Sequence, residues 1–102
     1  MADKLRHIVM FGFREKTTAD ELDEIVRRFA ALQHEVPGIE AFEWGENNSP
    51  EGKANGLTHC FVLTFASEAA RDAYLPHPNH TAFSTFARQW IEHVTVVDYW
   101  AR

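Results

Sequence analysis

The spacing of apolar residues changes several times along this chain, and each change marks an element. From 5 to 14, "LRHIVMFGFR" is rich in β-branched and aromatic residues, with Leu5, His7, Val9, Phe11 and Phe13 on one face of an extended segment. Its other face, Arg6, Ile8, Met10, Gly12 and Arg14, is polar only at the ends. Such a strand is covered on both sides. The period then lengthens. Thr18 and Glu21 make a capping-box pattern, and Leu22, Ile25, Val26, Phe29, Leu32 and Val36 follow at helical spacing. Asp23, Glu24, Arg27 and Arg28 take the outer face, and Pro37-Gly38 ends the helix.

Alternation returns twice. "IEAFEWGEN" (39 to 47) reads as a second strand, "NSPEGKANG" as an exposed loop, and "LTHCFVLTFA" (57 to 66) as a third strand. In that strand Leu57, His59, Phe61, Leu63 and Phe65 share one side, and Cys60 and Val62 the other. Ser67 caps a short helix, "SEAARDAY", which Pro76 and Pro78 interrupt. Phe83, Phe86, Ala87 and Trp90 mark a second helical run, and "HVTVVDYWA" (93 to 101) a fourth strand.

The order β-α-β-β-α-β is the ferredoxin-like pattern, an α+β fold with a four-stranded antiparallel sheet. Within that sheet the first and third strands are read as parallel neighbours at the centre. The helices can cover one face only. The other, apolar through Ile8, Met10, Cys60, Val62, Val94 and Val96, is expected to be exposed in a monomer. Two sheets packed face to face would bury it, so a homodimer is expected.

Bulk composition narrows the partners. One domain, 1–102, fits the length, and 45% hydrophobic with 25% charged residues suits a globular chain. A net charge of −5 with scattered basic residues argues against nucleic acid and anionic membranes. Cys60 is the single cysteine, so no internal disulfide is possible. The N-terminus lacks the apolar run of a signal peptide, no segment is long enough for a membrane span, and a cytoplasmic location is expected.

Candidate chemistry centres on "RDAYLPHPNH", with Tyr74, His77 and His80 around two prolines that pin an irregular turn. His34 suits a helix C-terminus and His93 lies beside Glu92, so both read as structural or solvent-facing. His7 and His59, each near the start of a central strand, are placed at similar height beneath the helices, as the polar floor of a small pocket. Phe11, Phe29, Phe61, Tyr74 and Phe83 supply its walls. A neutral imidazole takes a proton near neutral pH and a phenol donates one. Three histidines would suffice for a zinc ion, but no acidic ligand lies close to the pair and the H-E-x-x-H spacing is absent, so no metal is expected. No nucleophile stands out: Ser67 is a cap, Ser84 and Thr85 lie within a helix, and Cys60 alternates away from the histidines.

"HIVMFGFRE", "PGIEAFEWGEN", "THCFVLTFAS" and above all "YLPHPNHTAF" resemble the stress-responsive A/B barrel (Dabb) family over nearly the whole chain. The resemblance implies a ferredoxin-like fold and a dimeric α+β barrel. It is similar to a plant member that cyclises a linear polyketide by aldol condensation without metal or organic cofactor. Carried over from it, Tyr74 and His80 would be catalytic, and His7, His59 and His77 would contact substrate. His80 would act as base, and Tyr74 would steady the oxygen that becomes negative. Phe29 departs from that relative, which has a tyrosine there. Three readings remain. One is a cofactor-independent lyase, cyclase or isomerase acting on a small polyketide-like or phenolic carbonyl compound. The others are a non-catalytic small-ligand-binding or stress-response dimer and a purely structural dimer.

Overall fold

A computed structural model describes residues 3–102. The elements are β1 (Leu5–Phe13), α1 (Ala19–Glu35), β2 (Ile39–Glu46), β3 (His59–Phe65), α2 (Glu68–Tyr74), α3 (Pro78–Ala87) and β4 (Ile91–Trp100). The strands form one sheet in the order β2-β3-β1-β4, and every neighbouring pair is antiparallel. This is the expected ferredoxin-like arrangement, with its second helical segment split in two.

Local chemistry explains the helix ends. The Thr18 side chain accepts from the Glu21 N–H, and the Glu21 carboxylate accepts from the Thr18 N–H, which satisfies two orphan donors of α1. Past the far end, Gly38 adopts φ 98°, a conformation open to glycine, and the chain turns into β2. Ser67 caps α2 through the Ala70 N–H. The "HPNH" run is helical instead of an irregular turn. His77 is the N-cap of α3, Pro78 its first residue, and His80 lies in its first turn. Proline is well placed there because its missing N–H would be unpaired anyway. Trp90 falls beyond α3, in a turn whose N–H bonds the Ala87 carbonyl.

Two expectations about the sheet are corrected. β1 and β3 run antiparallel, with His7 opposite Leu63 and His59 opposite Phe11. The crossover through α1 makes β2 parallel to β1, and β3 then reverses on β2. Four residues of register separate the two histidines, roughly 13 Å along the strands, so they do not share a height. Val94 and Val96 pair with Phe11 and Val9, which places them on the helix-facing side. The uncovered face instead carries Ile8, Met10, Cys60 and Val62, joined on β4 by Val97 and Tyr99, which are 49% and 50% exposed.

The core lies between sheet and helices. Phe29 of α1 packs at 4.6 Å between ring centres against both Phe61 of β3 and Phe83 of α3. Ile25, Leu32, Leu63 and Phe65 close around them, all buried. Phe61→Ala is expected to cost about 3–5 kcal/mol in denaturant unfolding. A loss below about 1 kcal/mol would show that Phe61 does not fill the core as described.

Candidate active site

The helical layer sits towards β2. α1 packs on β2 and α3, and α2 on β3, so the helix-facing side of β4 has little above it. Val94 and Val96 are 58% and 53% exposed there. The gap is a cleft of about 830 Å³ between β4 and the α2–α3 corner. Val9, Phe11, Phe29, Phe83 and Ile91 make its apolar walls. Deeper polar groups come from β1 (His7), from the α2–α3 corner (Arg71, Tyr74, His80, Ser84) and from β4 (Asp98), and Asp72, Arg88 and Glu92 add charge to its lining. An apolar cleft with a few convergent polar groups is the usual form of a small-molecule site.

His80 is held by the end of α2. Its Nδ1 lies 2.7 Å from the Leu75 carbonyl. A carbonyl only accepts, so Nδ1 carries the proton and Nε2 presents a lone pair. Ser84 Oγ lies 3.4 Å from that nitrogen, one helical turn on. Burial lowers the His80 pKa, the Leu75 carbonyl partly opposes this, and His7 and His77 add to the lowering. His80 is therefore neutral at neutral pH and available as a base.

Tyr74, the last residue of α2, is fully buried, and its hydroxyl has no hydrogen-bond partner among the described residues. Its ring centre lies 4.3 Å from that of His80 and 5.9 Å from that of His7. Burial pushes the phenol pKa far above its ordinary value, so the group stays protonated. A buried O–H without a partner is costly, and an acceptor entering the cleft would relieve that cost.

His7 is fixed by a carboxylate. Its Nδ1–H donates to Asp98 Oδ1 at 2.8 Å, and Arg71 Nη1 donates to Asp98 Oδ2 at 3.0 Å. Arg71 Nε donates to Asp72 at 3.0 Å. Asp98, Arg71 and Ser84 were not among the sequence candidates. Asp98 lies two residues past Val96 in the same alternation, but Glu92 shares that alternation, so only the pairing opposite His7 singles Asp98 out. Ser84 sits one turn after His80 in α3, a relation visible only once His80 itself is helical.

The expected cluster is brought together in part. His7, Phe11, Phe29, Tyr74, His80 and Phe83 line the cleft. His59, Phe61 and His77 do not. His59 lies at the other end of the sheet, stacked on Trp44 with 4° between ring planes and 3.4 Å from Glu46. Desolvation lowers its pKa, and Glu46 opposes that. Phe61 is sealed in the core. His77 uses its Nδ1 to accept the Asn79 N–H at 3.1 Å, which caps α3. Among the described residues no three His, Cys, Asp or Glu side chains are grouped to hold a metal ion. None of their helices is long and apolar enough to cross a membrane.

The sequence profile of the stress responsive A/B barrel domain matches residues 5–101. The chain belongs to this family. The stress-response A/B barrel domain-containing protein HS1 of Arabidopsis thaliana is 30% identical over 95 residues, 93% of this chain and 87% of HS1. Olivetolic acid cyclase of Cannabis sativa is 26% identical over 98 residues, 96% and 97% of the two chains. Among solved structures, the hydroxynitrile lyase of Passiflora edulis has a TM-score of 0.92 at 25% identity, covering 100% of this chain and 96% of its own. Three solved bacterial proteins with TM-scores of 0.75 to 0.81 are described as dimeric and ferredoxin-like.

The tautomer of His80 is directly measurable. Nitrogen-detected imidazole NMR is expected to find neutral His80 protonated on Nδ1, titrating below the ordinary value of 6.5. Protonation on Nε2 would contradict donation from Nδ1 to the Leu75 carbonyl.

Proposed function

We propose that this chain is a cofactor-independent lyase, cyclase or isomerase that moves a proton on a small polyketide-like or phenolic carbonyl compound. The observation that carries this reading is one pair: neutral His80 with its lone pair at the cleft, beside a buried Tyr74 hydroxyl without a partner among the described residues. Relatives named as a cyclase and as a hydroxynitrile lyase support it. Aldol closure and hydroxynitrile cleavage each make or break a carbon–carbon bond beside an oxygen whose charge changes.

In the forward sense, His80 Nε2 takes a proton from the carbon next to a carbonyl. The enolate oxygen that results accepts a hydrogen bond from the Tyr74 O–H. The enolate carbon then attacks a second carbonyl, and the alkoxide formed takes the proton back from His80. The 3.4 Å contact to Ser84 is long enough for substrate to displace it. His7, oriented by Asp98, adds a second imidazole to the same wall. Substrate packed against the phenylalanine walls would displace water from the cleft, which would strengthen each of these contacts.

Exchange of the methyl protons of 2-hydroxyacetophenone in D₂O, followed by NMR, tests this proposal. Native protein is expected to speed exchange, His80→Ala to lose ~100-fold or more, and Tyr74→Phe about 100-fold. Equal rates in folded native and His80→Ala protein would rule the reaction out and leave a ligand-binding role. Because neutral His80 is the working form and burial lowers its pKa, the rate should fall with acid only below pH 6.5. A fall already complete above that pH would point to another group.

The reading includes a homodimer formed through the uncovered sheet face. Ile8, Met10, Val62 and Val97 give that face its apolar centre, and relatives of the same fold are described as dimeric. Sedimentation is expected to show a dimer for the native chain and a monomer for Val97→Arg. A native monomer would contradict the assignment.

A further inference from the structure

Ser84 takes no part in the proton transfer above, yet it faces the same cleft and touches its base. A serine inside a helix commonly bonds back to the carbonyl of the preceding turn. Here the recorded partner of Ser84 Oγ is His80 Nε2, at 3.4 Å. That nitrogen is the unprotonated one, because Nδ1 donates to the Leu75 carbonyl at 2.7 Å. The chain of contacts is therefore hydroxyl, imidazole lone pair, imidazole N–H, fixed acceptor. This is the arrangement by which a weak hydroxyl becomes a nucleophile, with a backbone carbonyl as the orienting group. Apo distances of this kind are often long and tighten when substrate arrives. A second, independent feature points to a ligand: the fully buried Tyr74 hydroxyl has no partner among the described residues. It provides a donor for an oxygen that gains negative charge.

We infer that Ser84 is an acyl-accepting nucleophile and that the protein has a second activity, hydrolysis of small esters or thioesters with apolar acyl chains. Ser84 Oγ attacks the acyl carbonyl carbon while its proton passes to His80 Nε2. The carbonyl oxygen becomes negative and accepts from the Tyr74 O–H. As the tetrahedral centre collapses, the bond to the leaving oxygen or sulfur breaks, and that atom takes the proton from His80. Water then attacks the acyl-serine by the same route, its proton passing through His80 back to Ser84 Oγ, which releases the carboxylic acid. Val9, Phe83, Val94 and Val96 line the cleft and suit an apolar chain.

The inference shares the cleft and His80 with the proposed proton transfer, but the two have separate readouts. Native protein, Ser84→Ala and His80→Ala would each be mixed with p-nitrophenyl butyrate. The p-nitrophenolate burst, the intact mass and the acylated peptide are then measured. Native protein is expected to show a burst and a mass gain of one butyryl group mapped to Ser84. Ser84→Ala should lose the adduct, and His80→Ala should slow acylation ~100-fold or more. Alanine favours a helix, so Ser84→Ala should fold, with circular dichroism as the check. No adduct on native protein, or an adduct that persists in Ser84→Ala, would overturn the inference. In either of those cases, deuterium exchange that still depends on His80 would leave the proton-transfer reading standing.

Discussion

Three packed rings decide where the helices of this protein sit. Phe29 bridges α1 to both β3 and α3, 4.6 Å from Phe61 and from Phe83. That join draws the helical layer over the β2–β3 half of the sheet and leaves β4 with little above its inner face. Rings of this size dominate the burial energy of a small core, so the displacement is stable. The cleft follows from it. Val94 and Val96 face the helical side yet stay exposed, and the α2–α3 corner overhangs them.

The chemistry of the corner depends on how α2 stops. Pro76 and Pro78 end one helix and start the next within a few residues, and the freed Leu75 carbonyl receives His80 Nδ1. That single bond selects the tautomer and aims the basic nitrogen at the cleft. Burial acts oppositely on the two neighbouring groups: it keeps His80 unprotonated and Tyr74 protonated. A base and an acid are thus held side by side by one environment. Asp98 does similar work for His7 on the other wall, with Arg71 balancing its charge.

Features encoded by neighbouring residues were legible in the chain. The Thr18–Glu21 box, the Ser67 cap, the four strands and the β1 and β3 residues of the uncovered face all follow from short-range pattern. Features set by pairing across the sheet were harder to read. The direction of β3 against β1 leaves no mark in local alternation, and reading it wrongly put His59 beside His7. The face of Val94 and Val96 depends on the β4 register, which sets them opposite Phe11 and Val9 and leaves no mark in local alternation. Asp98 gained meaning only through its pairing with His7. Ser84 gained meaning only when the histidine run proved helical, which Pro78 in its permitted first position allows.

The claim on which the rest turns is that small carbonyl compounds bind in the β4 cleft, against His80 and Tyr74. Titration of the isotope-labelled protein with 2-hydroxyacetophenone, followed by aromatic and amide NMR shifts, addresses it directly. The account predicts saturable changes centred on His7, Tyr74, His80 and Phe83. Changes confined to the Trp44–His59 end of the sheet, or to the uncovered face around Val62 and Val97, would contradict it.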